Sequence, residues 1–376
     1  MKGICHVPAL WWGAALWLFL LSSPIASAAT IQVPSEHQSI QGAIDAAVNG
    51  DTVLVAPGRY NEVLDLRGKA ITLKASGTVA KTVIDGSFKN NSVIRCVSGE
   101  GRDTIIDGFT ITSGTGDPSY YGVDATIGGG LLVMASKPTI RNCVIRGNNA
   151  TYTGGGMYNG DGADVLVEEC IFDNNSAEKG GAVFNLTSTP TFVGVEFDSN
   201  GAHYAGGGIY NANLSPAIIR KCNFTLNIAT YNGGAIYNYD STPTISDCVF
   251  FNNAATYKGG AIYHGYRSGT LVEDGTSRFQ TDNDDIAGGG YLLGVAHPKG
   301  ACCLGSSCIE VEEGPCLDAG GVWAGANSKC SDVLAAFCPK PLAGDMNQDG
   351  SVNVEDMAIL MNIWGRRGPD GRLSPR

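Results

Sequence analysis

Glycine pairs open at Gly128, Gly154, Gly180, Gly206, Gly233 and Gly259, with a frayed copy at Gly288, giving spacings of 26, 26, 26, 27, 26 and 29. Self-similarity at such a period marks a chain built by stacking units, each too small to bury a core alone. Most pairs introduce a small, an apolar, an aromatic and a polar residue: GGGMYN, GGAVFN, GGGIYN, GGAIYN and GGAIYH. A second cassette follows in each repeat, reading CVIRGN, CIFDNN, VEFDSN, CNFTLN and CVFFNN.

Aligned on that second cassette, the columns are chemically uniform. One holds Cys143, Cys170, Val195, Cys222 and Cys248; two residues on stand Ile145, Phe172, Phe197, Phe224 and Phe250. Further along, Asn148, Asn175, Asn200, Asn227 and Asn253 run without a gap, and upstream lie Ile140, Val167, Phe192, Ile219 and Ile245. Apolar residues at alternate positions are the signature of strands with one buried face. Three short strands and their turns use up one repeat, so the expected fold is all-β: a right-handed, single-stranded parallel β-helix, or solenoid. Stacking places like positions roughly 4.8 Å apart, where each inward asparagine amide can donate to the amide oxygen of the next coil. Gly-Gly suits a corner that needs φ > 0 and close packing.

These cassettes resemble the pectin-lyase-like β-helix superfamily. Within it they resemble the GGAI and FxxN repeats of polymorphic outer-membrane proteins, at Gly233–Ile236 and Gly259–Ile262 and at Phe172–Asn175, Phe197–Asn200, Phe224–Asn227 and Phe250–Asn253. The strong form covers about residues 128–290. Residues 29–298 are assigned to one β-helix. In its looser first part, Ile40, Ile44, Ala47 and Val48 predict an amphipathic helix within Ser39–Val48 that caps the first coil and protects its strand edges. Thr52–Val55 reads as a strand and Pro57-Gly58 as a turn. Val83-Ile84-Asp85-Gly86 and Ile105-Ile106-Asp107-Gly108 read as a further repeat at spacing 22.

The flanks carry other signals. Lys2, the apolar stretch Ala9–Leu21 and the small residues of Ala26-Ser27-Ala28 form a secretory signal peptide over residues 1–28, with cleavage expected after Ala28. The apolar stretch is short for a spanning helix. A net charge of −11 disfavours nucleic acid and anionic membrane surfaces as partners and fits a secreted, extracellular or cell-surface protein.

Cysteines sort into two groups. Four of the β-helix thiols share one inward column with Val195, which favours packing as small apolar residues; a disulfide between adjacent coils would need a particular Cβ geometry. Cys302, Cys303, Cys308, Cys316, Cys330 and Cys338 fall in residues 299–340, read as a disulfide-rich module with its pairing open. Zinc is disfavoured there by the lack of Cys-x-x-Cys pairs and of histidine.

Residues 341–366 contain an oxygen-ligand loop. Asp345, Asn347, Asp349, Ser351, Asn353 and Asp356 occupy the liganding positions of a twelve-residue calcium loop, and Gly350 stands at its sharp turn. Asp replaces Glu at the last position, and an apolar stripe of Val354, Met357, Leu360, Met361 and Trp364 follows with no helix before the loop. Both features resemble the dockerin type I repeat; the resemblance implies calcium as cofactor and a cohesin-like surface protein as partner. A dockerin domain normally carries two such repeats, and one is visible. Residues 367–376 read as a disordered tail.

Two functional classes compete. Carbohydrate-active enzymes, polysaccharide lyases or glycoside hydrolases, occur among pectin-lyase-like folds. The hydrolase pattern would place paired aspartates before a Gly-His-Gly. Here Asp284-Asp285 follows His264-Gly265, and no Gly-His-Gly exists. The outward column Arg141, Glu168, Val193, Arg220 and Ser246 reads as a solvated, ion-paired face. No catalytic residue is assigned. A second outward column, Tyr152, Tyr204, Tyr231 and Tyr257, with Glu178 in the remaining place, offers aromatic rings along the solenoid for an extracellular polysaccharide. The expected function is therefore a non-catalytic, adhesin-like scaffold or polysaccharide-binding protein.

Overall fold

The structure, a computed structural model, describes residues 28–118 and 124–272, and beyond these short segments as far as residue 329. Successive strands return at the same three places on a coil, and each pairs in parallel with its counterparts one coil above and below. The first sheet runs from Thr30–Val33 to Leu292–Leu293, the second from Gly58–Tyr60 to Arg278–Gln280, and the third from Leu64–Asp65 to Ile286–Gly288. The molecule is a parallel β-helix of about nine coils.

Repeat columns become physical stacks through register. Phe172 is opposite Phe197, then Phe224, then Phe250. Their rings stack at centroid distances of 5.3, 4.6 and 4.8 Å inside the solenoid. Ile140, Val167, Phe192, Ile219 and Ile245 line the first sheet's inner face, and Met157, Val183, Ile209, Ile236 and Ile262 the third's, all fully buried. Together these rows form one continuous apolar core, the main favourable term for a stack of strands that each turn one face inward.

Corners are built from left-handed backbone. The residue before the thiol column (Asn142, Glu169, Gly194, Lys221, Asp247) and the residue before the asparagine column (Gly147, Asn174, Ser199, Leu226, Asn252) have φ between 49° and 63°. The third corner is the glycine pair. Gly154 has φ +67, and a Cβ on Gly155 would run into the carbonyl oxygens of Ser176 and Gly181, so both positions exclude a side chain.

The asparagine column closes the polar side of this turn. Asn148, Asn175, Asn200 and Asn227 each donate Nδ2 to the Oδ1 one coil on, at 3.1, 3.0, 2.9 and 2.9 Å. That oxygen also accepts the backbone N–H of the preceding asparagine. The thiols do lesser work of the same kind. Cys143 N donates to the Cys170 sulfur at 3.3 Å, and Cys170 Sγ donates to Glu168 O at 3.2 Å. All five β-helix cysteines are free and buried, and burial pushes the thiols of Cys96, Cys170 and Cys222 well up.

A second amide ladder is present on the third sheet. Asn159, Asn185, Asn211 and Asn238 are linked Nδ2 to Oδ1 at 2.8, 2.8 and 2.9 Å, and Asn238 reaches His264 Nδ1 at 3.4 Å. Val133 lies above Asn159 in register, so Asn159 Oδ1 has no donor.

At the amino-terminal end, a helix spans Ile40–Ala46 and buries Ile40, Ala43 and Ile44. Ser39 accepts from Gly42 N, and the Glu62 carboxylate takes the N–H groups of Ile40 and Gln41. Lys69 Nζ donates to three carbonyls at the other end, those of Ile44, Asp45 and Ala47, at 2.7, 2.8 and 2.7 Å.

Three expectations are corrected. Pro57 forms the bend, but Gly58 already belongs to the strand Gly58–Tyr60. The two Ile-Asp-Gly motifs are not equivalent: Thr82–Asp85 is in the second sheet and Ile105–Asp107 in the first. An apolar strand ending in Asp-Gly suits any corner, so the motif does not report position on the coil. Gly288 is opposite His264 rather than Gly259, so it is a strand residue and not a seventh glycine corner. Past the solenoid, Gly300–Leu304, Ser307–Val311 and Val322–Trp323 form a small antiparallel sheet. The calcium loop Asp345–Asp356 lies outside the described residues.

Candidate functional site: an aromatic groove on the solenoid wall

Each GGxxYN cassette turns its aromatic residue away from the core. Tyr158, Phe184, Tyr210, Tyr237 and Tyr263 are in register along the third sheet, with centroids 5.7, 5.1, 4.6 and 5.3 Å apart. They form a second apolar cluster outside the core with Leu132, Ala205 and Ala212. Burial holds the phenol of Tyr210 far above its usual range and pushes that of Tyr237 up to about 12, so these two stay neutral.

The tyrosine column predicted from the sequence runs beside it. A small parallel sheet, Ser176–Lys179, Gly201–Ala205, Ile228–Ala229 and Ala254–Ala255, carries or borders these residues. Tyr204, Tyr231 and Tyr257 are 37%, 43% and 66% exposed, and Tyr152 is half-buried. Tyr231 and Tyr257 lie 5.2 Å apart at 6°, and Tyr204 and Tyr231 5.3 Å apart at 40°. The rings therefore spend much of their faces on one another, and the row turns ring edges and hydroxyls outward.

The gap in that column is filled by a cation. Where Glu178 replaces tyrosine, Lys179 Nζ sits 4.8 Å from the Tyr152 ring centroid and 5.5 Å from that of Tyr204. It also donates to Tyr152 Oη at 3.4 Å and lies 3.9 Å from Glu178. An ammonium between two aromatic faces is held by their quadrupoles, and it keeps the row continuous.

Over the inner row, beside Tyr152 and Lys179, is a groove of about 180 Å³. Phe184 and Tyr210 make its floor, Tyr152 and Lys179 one wall, and Asn213 and Tyr239 the other. The site joins an apolar aromatic floor to walls bearing hydroxyl, amide and ammonium groups, the composition expected of a site for a ring with polar edges. Tyr152 and Tyr204 are thus tied together through Lys179, with Tyr231 and Tyr257 continuing the row. Lys179, Tyr210 and Tyr239 were not singled out from the sequence; the recurrence of an aromatic in every GGxxYN cassette was the available signal.

The outward charged column behaves differently from its sequence pattern. Arg141 pairs with Asp107 at 3.1 Å, one coil before it. Asp107 also accepts from Asn142 Nδ2 at 2.8 Å. Ser246 is largely buried. Among the described residues no group of three or more His, Cys, Asp or Glu side chains is placed to hold a metal ion.

Residues 169–186, 221–239 and 247–265 match the Chlamydia polymorphic membrane protein repeat. The first of these stretches runs through the thiol, asparagine and glycine corners in turn, so the match covers the whole turning apparatus of a coil. A pectin methylesterase from carrot is similar in structure, with a TM-score of 0.47 and 11% identity over 72% of this chain and 90% of that one. No curated protein sequence matches the chain. The chain is a parallel β-helix, three stretches of which match the Chlamydia polymorphic membrane protein repeat.

Proposed function

We propose that this protein is an exported, cell-surface or extracellular β-helix that binds an extended polysaccharide along the aromatic groove without cleaving it. The observation that carries the reading is the groove itself: an aromatic floor that continues from coil to coil, with polar walls beside it. A polymer can engage several coils at once, so weak contacts at each add up as linked binding events. Tyr152, Tyr204, Tyr231 and Tyr257 would contact it through ring edges and hydroxyls, with the sugar seated against Phe184 and Tyr210. The Chlamydia repeat match supports a surface location, since proteins carrying that repeat are described as membrane proteins.

In the same reading Asp345, Asn347, Asp349, Ser351, Asn353 and Asp356 bind one calcium ion through hard oxygen ligands, and the apolar stripe after that loop docks a cohesin-like surface partner. The loop's donor set is all oxygen, which selects calcium over softer metals.

Affinity electrophoresis through gels containing neutral and acidic plant or algal glycans tests the groove. Retardation of the wild type by one glycan, lost in a Tyr231→Ala/Tyr239→Ala variant with an unchanged melting curve, is the expected result. Equal mobility of the two proteins in every gel refutes the groove. Release of unsaturated or reducing ends from any of these glycans refutes the non-catalytic reading and favours a lyase or hydrolase.

A further inference from the structure

The first coil holds a carboxylate without a cationic partner of its own. Asp51 is buried at the start of the strand Thr52–Val55. Its Oδ1 accepts the N–H of Ala29 at 2.8 Å and its Oδ2 that of Val48 at 2.9 Å. Among the described residues it forms no ion pair. Lys69 attracts it from a distance, but that ammonium is committed to the carbonyls of Ile44, Asp45 and Ala47. The two amides hold the Asp51 carboxyl below its usual range, so it stands ionised, and a positive charge at Ala29 would find an anion already in place.

Ala29 is also where the first sheet begins. Thr30 is the first residue in register with the second strand, opposite Thr52, and Thr52 N donates to Ala29 O at 2.8 Å. The backbone nitrogen of Ala29 is therefore held in place by the strand that follows it, and it points at Asp51. In sequence, the same nitrogen follows the small-residue pattern Ala26-Ser27-Ala28, which a signal peptidase reads.

From these two facts we infer that Ala29 is the processed amino terminus and that Asp51 is the built receptor for its ammonium group. Hydrolysis of the Ala28–Ala29 bond adds water's hydroxyl to the Ala28 carbonyl and leaves the amine, protonated, on Ala29. The hydrogen bond already present becomes charge-assisted and gains a full Coulomb partner, at a position where Ala29 itself is exposed. Processing thus completes the first coil and locks the leading strand to it. The inference rests on the export reading above, and the two can fail separately.

Two measurements decide it. Protein exported from the full-length precursor is analysed by intact mass and amino-terminal sequencing. A mature chain beginning at Ala29 is expected; a different start overturns the inference, and an uncleaved, retained precursor overturns the export reading as well. Chains beginning at Ala29, wild type and Asp51→Asn, are then acylated at neutral pH and the α-amine labelling rate followed by mass spectrometry. Ion pairing should make the wild-type amine about tenfold less reactive than that of Asp51→Asn. A chain with Ala28 retained, whose amine is displaced by one residue while Asp51 is intact, should label at the faster rate. Equal rates in all three folded proteins overturn the ion pair whatever the outcome of export.

Discussion

Removing one amide from the middle of the asparagine ladder should cost far more than its size suggests. Asn200 makes four hydrogen bonds through its side chain. It accepts from Asn175 N and Asn175 Nδ2, both at 3.0 Å, and donates to Asn227 Oδ1 and Phe172 O, both at 2.9 Å. In Asn200→Ala two of the groups left behind keep a second partner. Asn175 Nδ2 still reaches Ile145 O at 2.8 Å, and Asn227 Oδ1 still accepts from residue 200's own N–H, 3.2 Å away. Asn175 N keeps none and is buried. An orphaned buried donor costs about 1–3 kcal/mol, and each of the three remaining lost bonds about 0.5–1.5 kcal/mol, so the expected loss is about 2.5–7.5 kcal/mol. Against a total stability of roughly 5–15 kcal/mol, that is a large part of the margin. Asn223→Ala supplies the control, since Asn223 is an exposed residue of the adjacent strand and should change stability by less than about 0.5 kcal/mol. Urea unfolding followed by circular dichroism gives both values. Hydrogen exchange should show the loss centred on the coils holding Asn175 and Asn227, because a solenoid transmits stability only between neighbours. An Asn200→Ala protein within about 1 kcal/mol of the control would refute the ladder's role.

His264 occupies a ladder position held elsewhere by asparagine, and burial lowers its pKa to about 4 from an ordinary 6.5. The unfolded chain binds a proton that the folded one refuses, so stability is full above pH 6.5 and falls as pH drops toward 4, by about 2–4 kcal/mol. His264→Asn should flatten that part of the pH profile, measured as urea midpoints across the same range; an unchanged profile would refute the assignment. Leu226 sits at φ +55, 47% exposed, where other coils place Asn174 and Asn252. Leu226→Asn should therefore raise stability by about 1 kcal/mol, and a lower melting temperature would contradict this. Lys69→Met removes three carbonyl partners from the end of the helix Ile40–Ala46 and should cost about 2–3 kcal/mol. Faster amide exchange within that helix is the accompanying sign, and wild-type exchange there would argue that water replaces the ammonium without loss.

The sequence by itself determined the stack. A side chain one coil away is its own neighbour in a parallel sheet, so identical chemistry at a fixed period had to become a column. The inward phenylalanines, the thiols with Val195 and the asparagine ladder were all legible on that ground. The helix Ile40–Ala46 was legible too, from the spacing of Ile40 and Ile44, although Ala47 and Val48 lie beyond its end. Tertiary structure decided what period alone leaves open. The two Ile-Asp-Gly motifs look alike because any strand entering a corner wants the same residues, and only pairing assigns them to different sheets. Tyr158, Phe184, Tyr210 and Tyr237 alternate away from the core, and nothing in alternation says that an outward row will be buried in a second apolar cluster. Glu178 interrupts the aromatic pattern in sequence, yet its neighbour Lys179 completes it in space, because an ammonium between two ring faces substitutes for a ring. The contact between Ala29 and Asp51 joins residues 22 apart, a juxtaposition that exists only once the first two strands have paired.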